Sequence, residues 1–559
     1  MAVCRFPFTP ILAGLLSAFA AMALFSLTSC SLVLELDSCD DENPCPEGYQ
    51  CTDDNLCLSS SAQCTTDEDC LPIMGEGSSC EDNICRGDDP LLGGPCQQLY
   101  GAADGDGDEL LIGVVLQLSG VGGGFGQPML DAMQIAKRDF NAIGGIDGRS
   151  IRLVACDTAY DDLDPADYGE DDDSLDTIAR IAAQHLVDEA GVEVIVGFNS
   201  SQVLDVGPNI TVPNDVLLMS PSATAAIIPP AGHNGLMYRT APSDEPQAIA
   251  LTNLVEETLD DYLLDQGVED GKITILVRED DQWAEGLYEH LVLELPPEIT
   301  GADADRFSSY FFPNVGAGGH ADYTPVAAAV AAEERPPDVV VVLGSADSWQ
   351  VIEYVDQALS EEPLFIGGDA MKNLQEATQA PAALENRIWG TGPRNVAEFD
   401  YQPYTIFRLK FETEMSDNAD NYQFVANAFD AIYAVAFGAA AEGFSGPEIA
   451  EGLTRLGSGD NILPSSTDAQ TALEILSQGQ SINYQGASGP LNFDENGDPE
   501  PLPIALWCFE DGQIPERGEI YNHETGIFEY MSCDPENDVE PNDNAPNGED
   551  SSNQNTDEG

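Results

Sequence analysis

Short apolar runs alternate with longer amphipathic segments through the middle of the chain. The first such unit has an apolar run at Leu110–Leu116, then a glycine-rich turn, then a segment whose apolar residues recur at helical spacing. One face of that predicted helix carries Met129, Met133, Ala136 and Phe140. Continuous apolar strands separated by helices predict a parallel β-sheet that is covered on both faces.

The same alternation continues in two series. The first predicts elements at Ile151–Ala155, Ser174–Ala190, Val194–Val196, Ser201–Asn209 and Val216–Met219. The second predicts elements at Pro246–Leu264, Ile273–Val277, Trp283–Leu295, Val339–Leu343, Trp349–Leu359 and Leu364–Ile366. Two such series predict an α/β fold with two doubly wound parallel-sheet lobes. The acidic stretch 160–176 has no apolar period and is interpreted as a surface insertion in the first lobe.

The amino-terminal 29 residues have the pattern of a signal peptide. An apolar run, Ile11–Leu27, follows Arg5 and ends in Leu27-Thr28-Ser29-Cys30. This ending resembles a bacterial lipobox, which implies that Cys30 is acylated and holds the protein on a membrane. Two alternatives stay open: the run is retained as a membrane helix, for which about 17 residues is the lower limit, or Cys30 stays unmodified.

Residues 30–103 form a segment that is rich in cysteine. Its cysteines fall into two similar units, Cys39-Cys45-Cys51-Cys57 and Cys64-Cys70-Cys80-Cys85, followed by Cys96. The segment has no Cys-x-x-Cys pair and no histidine, which argues against zinc. We therefore predict a small disulfide-rich stalk, in which Cys96 is a candidate partner of Cys156. At the other end of the chain, Cys508 and Cys533 are a second candidate pair.

Two acidic segments flank the main body. Asp104–Asp108 has the alternating carboxylates of a calcium loop, but Glu109 stands at the position of its sixth-residue glycine. We interpret it as a solvated linker and predict no metal site. Residues 534–559 have no basic and almost no apolar side chain, which predicts a disordered acidic tail.

The charge of the chain excludes one class of partner. It has 100 acidic and 19 basic residues, a formal net charge of −81. Such a chain repels nucleic acid, so no nucleic-acid partner is expected. A solvated acidic surface explains the charge, and a preference for a basic ligand is the alternative.

No motif indicates catalysis. The cluster Gly120–Gly126 lies between a predicted strand and a predicted helix, where a dinucleotide fingerprint would lie, but its spacing does not fit GxGxxG. It also lacks the lysine of a phosphate-binding loop, and the chain has no GxSxG or HExxH motif. We expect no cofactor and no enzymatic activity.

Polar loops follow the predicted strands, where open parallel sheets bind ligands. Ser201, Ser222 and Thr224 offer hydroxyl groups near helix starts, which suits a carboxylate. Asp369 lies in a loop of the second series and suits an ammonium group. The alternative is that these residues are ordinary helix caps and a turn former.

Three segments carry a family resemblance. They are Ile112–Gly120, the sequence FNAIGGIDGR at Phe140–Arg149, and YQGASGPLNFDENGD at Tyr484–Asp498. Over Leu110–Phe509 the chain resembles the leucine/isoleucine/valine-binding family of periplasmic solute receptors. The resemblance implies a type I periplasmic binding protein fold with a multi-strand hinge. It places the first lobe at 110–241 plus about 394–470, and the second at 242–393 plus about 471–533.

The resemblance also implies roles for particular residues. Ser201, Ser222, Ala223 and Thr224 match positions that hold the ligand carboxylate. Asp369 stands where an acidic residue receives the amino group. Trp283 stands where the family often has an aromatic residue, although Ala284 replaces the glycine that follows it, and Ser345 lies in a loop where several members have tyrosine. These departures leave the ligand open among amino acids, amides, urea and aromatic acids.

The expected function is therefore capture of a small polar ligand outside the cytoplasm. The resemblance implies an exported protein that delivers its ligand to the permease of an ABC transporter, and the Cys30 pattern adds periplasmic or outer-membrane anchoring. The alternative is a surface lipoprotein whose lobes act as a sensory or interaction module, which the long stalk motivates.

Overall fold

The computed structural model describes residues 49–51, 57–59, 79–81, 84–86, 91–101, 109–120, 122–160, 163–170, 174–226, 234–301, 305–314, 321–345, 347–372, 377–394 and 401–533. The predictions for the signal peptide, Cys30, the 104–108 linker, most of the stalk and the 534–559 tail lie outside these residues. Within the described ranges, no helix has the length and apolar character needed to cross a membrane.

The described part of the stalk includes two small antiparallel strand pairs. Strands β1 (Tyr49–Cys51) and β2 (Cys57–Ser59) pair antiparallel, as do β3 (Ser79–Glu81) and β4 (Ile84–Arg86). Their registers place Cys51 opposite Cys57 and Cys80 opposite Cys85. In both predicted units the third and fourth cysteines are therefore register partners, which supports the interpretation as a tandem repeat.

The first lobe is built on a six-stranded sheet. Its strands in chain order are β5 (Cys96–Tyr100), β6 (Leu110–Leu116), β7 (Ile151–Asp157), β8 (Val194–Gly197), β9 (Leu217–Ser220) and β10 (Met237–Arg239). Their order across the sheet is β10-β9-β8-β6-β7-β5, and every pair is parallel except β5 with β7. The predicted parallel sheet is thus confirmed, with one unpredicted antiparallel strand at its edge.

The second lobe is built on an eight-stranded mixed sheet of order β12-β11-β13-β14-β15-β19-β20-β21. Its strands are β11 (Ile273–Arg278), β12 (Phe307–Phe312), β13 (Val339–Leu343), β14 (Leu364–Gly367), β15 (Ile388–Pro393), β19 (Ile504–Cys508), β20 (Glu516–Asn522) and β21 (Ile527–Phe528). The first five are parallel and the last three antiparallel. The purely parallel sheet predicted for this lobe therefore needs correction, because the chain returns through a carboxyl-terminal meander.

Side chains of the second sheet pack on both faces. In β13, Val339, Val341 and Leu343 join one core cluster, whereas the alternate residues Val340 and Val342 join another. Both faces of this sheet are therefore covered, which explains why its strands are continuous apolar runs rather than alternating ones.

Helices connect and cover these strands. They span Gly123–Ala142, Leu175–His185, Ser200–Val206, Glu245–Glu257, Leu263–Asp265, Gln282–Glu294, Pro297–Thr300, Thr324–Ala331, Ser348–Ala358, Gln402–Met415, Val425–Glu442, Gly446–Leu453 and Ser466–Ser477. Short 3₁₀ or π turns lie at Pro165–Tyr168, Leu186–Ala190, Gly207–Thr211, Val212–Asn214, Thr258–Tyr262, Asp369–Met371, Ala382–Leu384 and Ala419–Asn421. A small sheet adds β16 (Asp460–Ile462), β17 (Ile482–Gly486) and β18 (Gly489–Pro490).

The first lobe extends further along the chain than the predicted boundaries. Its core includes Cys96 and Leu99, which lie within the predicted stalk, and also Ile482 and Leu491, which lie beyond the predicted boundary near 470. The physical reason is sheet pairing: β5 hydrogen-bonds to β7, and β17 pairs with β16 beside the helices of this lobe.

Both candidate disulfides in the main body are formed. Cys96–Cys156 joins β5 to β7 and closes a separation of 60 residues. Cys508–Cys533 ties the carboxyl-terminal segment to β19 across 25 residues. Each bond restricts the unfolded chain and so stabilises the lobe that contains it.

Candidate functional site

The carboxyl ends of the parallel strands of both lobes meet at a cleft. A cavity of ≈ 70 Å³ lies there, which is room for a small molecule. It is lined by Phe125, Asn199, Ser200, Ser222, Thr224, Arg278, Asp281, Trp283, Ser345, Asp369, Ala370 and Phe424. The predicted residues Ser222, Thr224, Trp283, Ser345 and Asp369 are therefore brought together in one cavity.

The wall from the first lobe begins at a strained turn after β8. Phe198 has a φ of 71°, and its carbonyl accepts hydrogen bonds from Ser220 Oγ at 2.8 Å and Ser222 Oγ at 3.4 Å. Asn199 then caps the helix Ser200–Val206, and its side chain accepts from the Gln202 amide. A left-handed conformation at a bulky residue is costly and is typical of functional sites.

Thr224 and Ser200 complete this wall with neutral polar groups. Ser200 Oγ accepts from the Ala225 amide at 3.1 Å, which joins the helix start to the loop after β9. Thr224 is 2% exposed, and its carbonyl accepts from the Asp244 amide at 2.8 Å. The wall thus presents hydroxyl groups and a helix amino terminus, both of which favour an anion.

The wall from the second lobe carries Asp369, which follows β14. Its side chain is 1% exposed and accepts a hydrogen bond from Gln247 Nε2 at 2.9 Å. Burial raises the pKa of Asp369 to about 6, while the Gln247 bond and the charge of Lys372 act in the opposite direction. The carboxylate form is therefore destabilised unless a cation lies beside it.

Asp244 is a second buried carboxyl group, and the sequence interpretation missed it. It lies in the first connection between the lobes and precedes the helix Glu245–Glu257. Within the described chain neither of its carboxyl oxygens meets hydrogen-bond geometry, although the nearby Thr224 hydroxyl lowers its pKa. Burial first, and the charge of Asp369 second, hold the pKa of Asp244 well above its usual range.

Trp283 lies against the Asp369 loop. A Cβ on Gly368 would lie 2.8 Å from the Trp283 ring, so glycine is required where the ring crosses the backbone. The indole is oriented by Asp281, whose Oδ1 accepts from the amides of Trp283 at 3.0 Å and Ala284 at 3.3 Å. Trp283 lines the cavity, and its Nε1 is buried without a hydrogen-bond partner among the described residues.

Arg278 was also missed by the sequence interpretation. It ends β11, lines the cavity, and donates from Nε to Asp281 Oδ2 at 2.8 Å and from NH1 to Asp347 Oδ1 at 3.3 Å. Asp347 Oδ1 in turn accepts from the Ser345 amide at 3.2 Å. Arg278 therefore joins the loop that carries Trp283 to the loop that carries Ser345.

Ser201 and Ala223 are not among the residues that line the cavity. Ser201 Oγ instead accepts from the Gln282 amide of the second lobe at 3.1 Å, so it bridges the lobes beside the cleft. Ala223 is fully buried, and its amide donates to Ser220 Oγ at 3.0 Å. The neighbouring Ser200 takes the place in the cavity that we predicted for Ser201.

The lobes also touch outside the cavity. Leu175, at the start of a first-lobe helix, packs in a core cluster with Tyr323 and Phe312 of the second lobe. The adjacent Asp176 has its pKa raised to about 6, by burial first, while the charge of Arg278 lowers it. The lobes are therefore in contact around the cleft.

Two phenylalanine rings form the apolar part of the cavity. Phe125 and Phe424 make an edge-to-face contact with centroids 6.0 Å apart. Phe424 has a φ of 63°, a second strained bulky residue at the cleft. Together with Trp283, these rings provide an apolar surface for the body of a ligand.

The glycine cluster has a packing role. A Cβ on Gly126 would lie 2.0 Å from the Gln117 carbonyl oxygen, because the helix Gly123–Ala142 starts directly against the end of β6. Close backbone approach, rather than phosphate binding, explains Gly126. Across the described ranges, no group of three or more His, Cys, Asp and Glu side chains is arranged to hold a metal ion.

Two α/β lobes with a ligand-sized cleft between their strand ends define a bilobal solute-binding protein. The chain belongs to the periplasmic binding protein family, which matches it over residues 109–472. This is a family of exported ligand-binding proteins and not of enzymes. The family predicted from the sequence is confirmed.

Characterised relatives are of the branched-chain amino-acid type. The Leu/Ile/Val-binding protein homolog 2 of Brucella abortus is 24% identical over 411 residues, covering 72% of this chain and 91% of the relative. The leucine-binding protein LivK of Thermotoga maritima has a TM-score of 0.55 at 17% identity, covering 73% of this chain and 98% of that one. LivJ of Streptococcus pneumoniae, solved with isoleucine, has a TM-score of 0.51 at 17% identity, covering 73% and 97%.

A further neighbour shows that the same fold holds a different ligand. The solute-binding protein of an ABC transporter from R. palustris was solved with benzoate, and it has a TM-score of 0.52 at 16% identity, covering 76% of this chain and all of that one. At these identities the solved structures establish the type I periplasmic binding protein fold and leave the ligand to be argued from the cleft.

Proposed function

We propose that this protein captures an amino acid, or a related small ligand with an amino group, between its two lobes and delivers it to the permease of an ABC transporter. The observation that carries the proposal is the pair Asp369 and Asp244. Both are buried beside the cavity, and Asp244 has two carboxyl oxygens without a hydrogen bond in the described chain. A buried carboxylate pair is unfavourable on its own and favourable around an ammonium group.

The opposite wall supports a carboxylate at the other end of the ligand. Ser200 and Thr224 present hydroxyl groups near the amino terminus of the helix Ser200–Val206, and Ser222, whose hydroxyl donates to the Phe198 carbonyl at 3.4 Å, lies beside them. The unpaired amides of a helix start and its dipole attract an anion. An amino acid would place its ammonium near the second lobe and its carboxylate near the first, so that binding joins the lobes.

Closure follows from that arrangement. A ligand that contacts both walls binds the closed form more tightly than the open form, and it shifts the population by that difference in affinity. The Ser201–Gln282 hydrogen bond and the Leu175 contact add interactions between the lobes that a separated pair of lobes would lack.

The proposal is tested by identifying what the protein retains. Protein purified without added ligand is denatured, and the released small molecules are identified by mass spectrometry. We expect a compound with a primary amine and a carboxylate. Calorimetry with that compound, its carboxamide and its deaminated analogue should then show the largest loss of affinity for the deaminated analogue. Equal affinity for all three would contradict the proposed orientation.

Lipid anchoring is a separate part of the proposal. It rests on the sequence Leu27-Thr28-Ser29-Cys30 at the end of the apolar run. We expect Cys30→Ala to abolish acylation and to release the protein from membranes, because one or more acyl chains would otherwise hold it there. Mass spectrometry of the mature amino terminus and membrane fractionation measure both effects. A wild-type protein that is membrane-bound without acyl chains would favour the retained helix instead.

A sensory role is the second candidate. The Cys-rich stalk continues directly into β5, which the Cys96–Cys156 disulfide fixes to the first-lobe sheet. The stalk would then keep the lobes at a fixed place on the cell envelope. A partner protein that recognises the closed, liganded lobes could bind them there and report the ligand. Deleting the cognate permease decides between the two roles. If uptake of the ligand then stops, the protein serves transport. If the cell still responds to the ligand, the protein serves sensing.

A further inference from the structure

Arg239 is a buried cation beside the cleft that does not line the cavity. It is the last residue of β10 and is 1% exposed. Its guanidinium makes a two-pronged ion pair with Asp498, with Nε to Oδ1 at 2.6 Å and NH2 to Oδ2 at 2.7 Å. A planar guanidinium bound in this way has a fixed orientation.

The third guanidinium nitrogen, NH1, contacts the loop after β9, which forms part of the first-lobe wall of the cavity. NH1 of Arg239 donates to the carbonyl oxygens of Ala223 at 3.2 Å and Ala225 at 2.9 Å. These two carbonyls flank Thr224, which lines the cavity. Because both carbonyl oxygens accept hydrogen bonds from Arg239, they point to a cation outside the cavity. They therefore do not repel a carboxylate that is bound in the cavity.

Asp498 is itself fixed by a tight turn in the segment between β18 and β19. Asp494 Oδ1 accepts from the amides of Asn496 at 2.8 Å and Asp498 at 3.0 Å. The Gly497 carbonyl accepts from the Arg239 amide at 3.0 Å, and Gly497 has a φ of 81°. The turn, the arginine and the loop therefore form one continuous set of hydrogen bonds.

We infer that Arg239, held by Asp498, is a positioning residue for the carboxylate-binding loop Ser222–Ala225. The inference rests on the proposed function in that this loop receives a ligand carboxylate. Arg239 acts through the backbone of the loop and not by touching the ligand. It also couples the loop to the segment that leads from β18 to β19 of the second-lobe sheet.

The test uses the full-length protein with two variants and a matched control. Asp498→Asn removes the counter-ion, whereas Arg239→Lys keeps the charge but cannot bond Asp498 and both carbonyls at once. The control is Glu333→Gln, which breaks the buried Lys272–Glu333 ion pair, with side chains 6% and 8% exposed, in the second lobe. All three changes disturb a buried ion pair, and only the first two disturb the loop.

Hydrogen exchange of the unliganded protein reports on the loop itself. We expect amide exchange at residues 222–225 to rise by about tenfold or more in Asp498→Asn and Arg239→Lys, since a charged hydrogen-bond network is lost. It should stay at the wild-type rate in Glu333→Gln. Unchanged exchange in both loop variants, or an equal rise in the control, would overturn the inference.

Calorimetry with L-leucine and L-leucinamide tests the consequence for binding. The affinity for L-leucine should fall by about tenfold in the loop variants, which is about 1.4 kcal/mol. The affinity for L-leucinamide, which lacks the carboxylate, should change less. Equal losses for both compounds would contradict a role in carboxylate binding. If the wild-type protein binds neither these compounds nor any other amino acid, the proposed function fails, and hydrogen exchange still decides the positioning role.

Discussion

The two walls of the cleft use different chemistry. The first-lobe wall is neutral: it consists of hydroxyl groups, backbone and the start of a helix around Ser200, Ser222 and Thr224. The second-lobe wall is charged, with Asp369, Asp281 and Arg278, and the buried Asp244 lies beside it. In a chain with net charge −81, none of the first-lobe side chains that line the cavity is a carboxylate, so a bound anion meets no acidic lining group on that wall.

The walls also differ in how much their geometry depends on the ligand. Hydroxyl groups of the neutral wall are already engaged, as in the bonds from Ser220 and Ser222 to the Phe198 carbonyl. Beside the charged wall, the carboxyl oxygens of Asp244 have no hydrogen bond in the described chain, and on that wall Trp283 Nε1 has no partner among the described residues. A ligand can therefore form more new hydrogen bonds and ion pairs at the charged wall than at the neutral wall. Substitutions at the charged wall should accordingly reduce ligand affinity more.

The largest effect is expected from Asp369→Ala. Removing one partner of a desolvated ion pair costs about 2–5 kcal/mol, or roughly 30- to several-thousand-fold in affinity. Calorimetry with the retained ligand measures the loss. The control is Asp356→Ala, which removes the same charge from an ion pair with Arg387 elsewhere in the second lobe. Wild-type affinity in Asp369→Ala would show that the ligand's amine lies elsewhere.

Removing this carboxyl group should leave the fold intact. Its pKa is raised from 3.8 to about 6, so the folded protein binds a proton more tightly than the unfolded chain does. Stability from this group is therefore present below about pH 4 and is lost as the pH rises through about 6. A loss of binding in the variant thus reflects the site and not unfolding.

The elements that the sequence predicted best are the fully buried ones. Leu110–Leu116 and Val339–Leu343 have the bounds that we predicted, because a strand covered on both faces is an uninterrupted apolar run. The edge strand Phe307–Phe312 was missed, since most of its side chains are partly exposed and polar residues interrupt the run. The antiparallel strands β19–β21 were missed because their pairing is set by the tertiary fold.

The site was predictable only in part, for a related reason. Asp369 and Trp283 follow predicted strands, where ligand-binding loops occur. Asp244 precedes a helix and has the pattern of an ordinary cap, and only the packing of the first connection shows that it is buried. Arg278 had a detectable signal: it is one of only 19 basic residues and is followed by three acidic ones at a strand end.

The second prediction concerns the pH dependence of the charged wall without ligand. Between about pH 4 and about pH 6 the folded wild-type protein should lose up to about 3 kcal/mol relative to Asp369→Asn, because Asp369 then ionises in a buried site. Burial first, and the charge of Asp369 second, raise the pKa of Asp244 in the same direction. Chemical denaturation of both proteins at pH 4 and pH 7 gives the difference. A difference of the opposite sign would mean that Asp369 is already compensated by a cation without ligand.

The smallest effect is expected on the neutral wall, from Thr224→Val. Valine keeps the shape of the side chain and removes its hydroxyl group, while Ser200, Ser222 and the helix start remain to hold a carboxylate. One neutral hydrogen bond contributes about 0.5–1.5 kcal/mol, so the affinity should fall by about two- to tenfold. Thr252→Val is the matched control, since Thr252 is also buried, at 5% exposed, in a second-lobe helix and its hydroxyl donates to the Ala248 carbonyl. Calorimetry on Thr224→Val, Asp369→Ala and the double variant then ranks the walls. If Thr224→Val weakens binding as much as Asp369→Ala does, the hydroxyl bonds a desolvated charge, and the two walls contribute equally to capture.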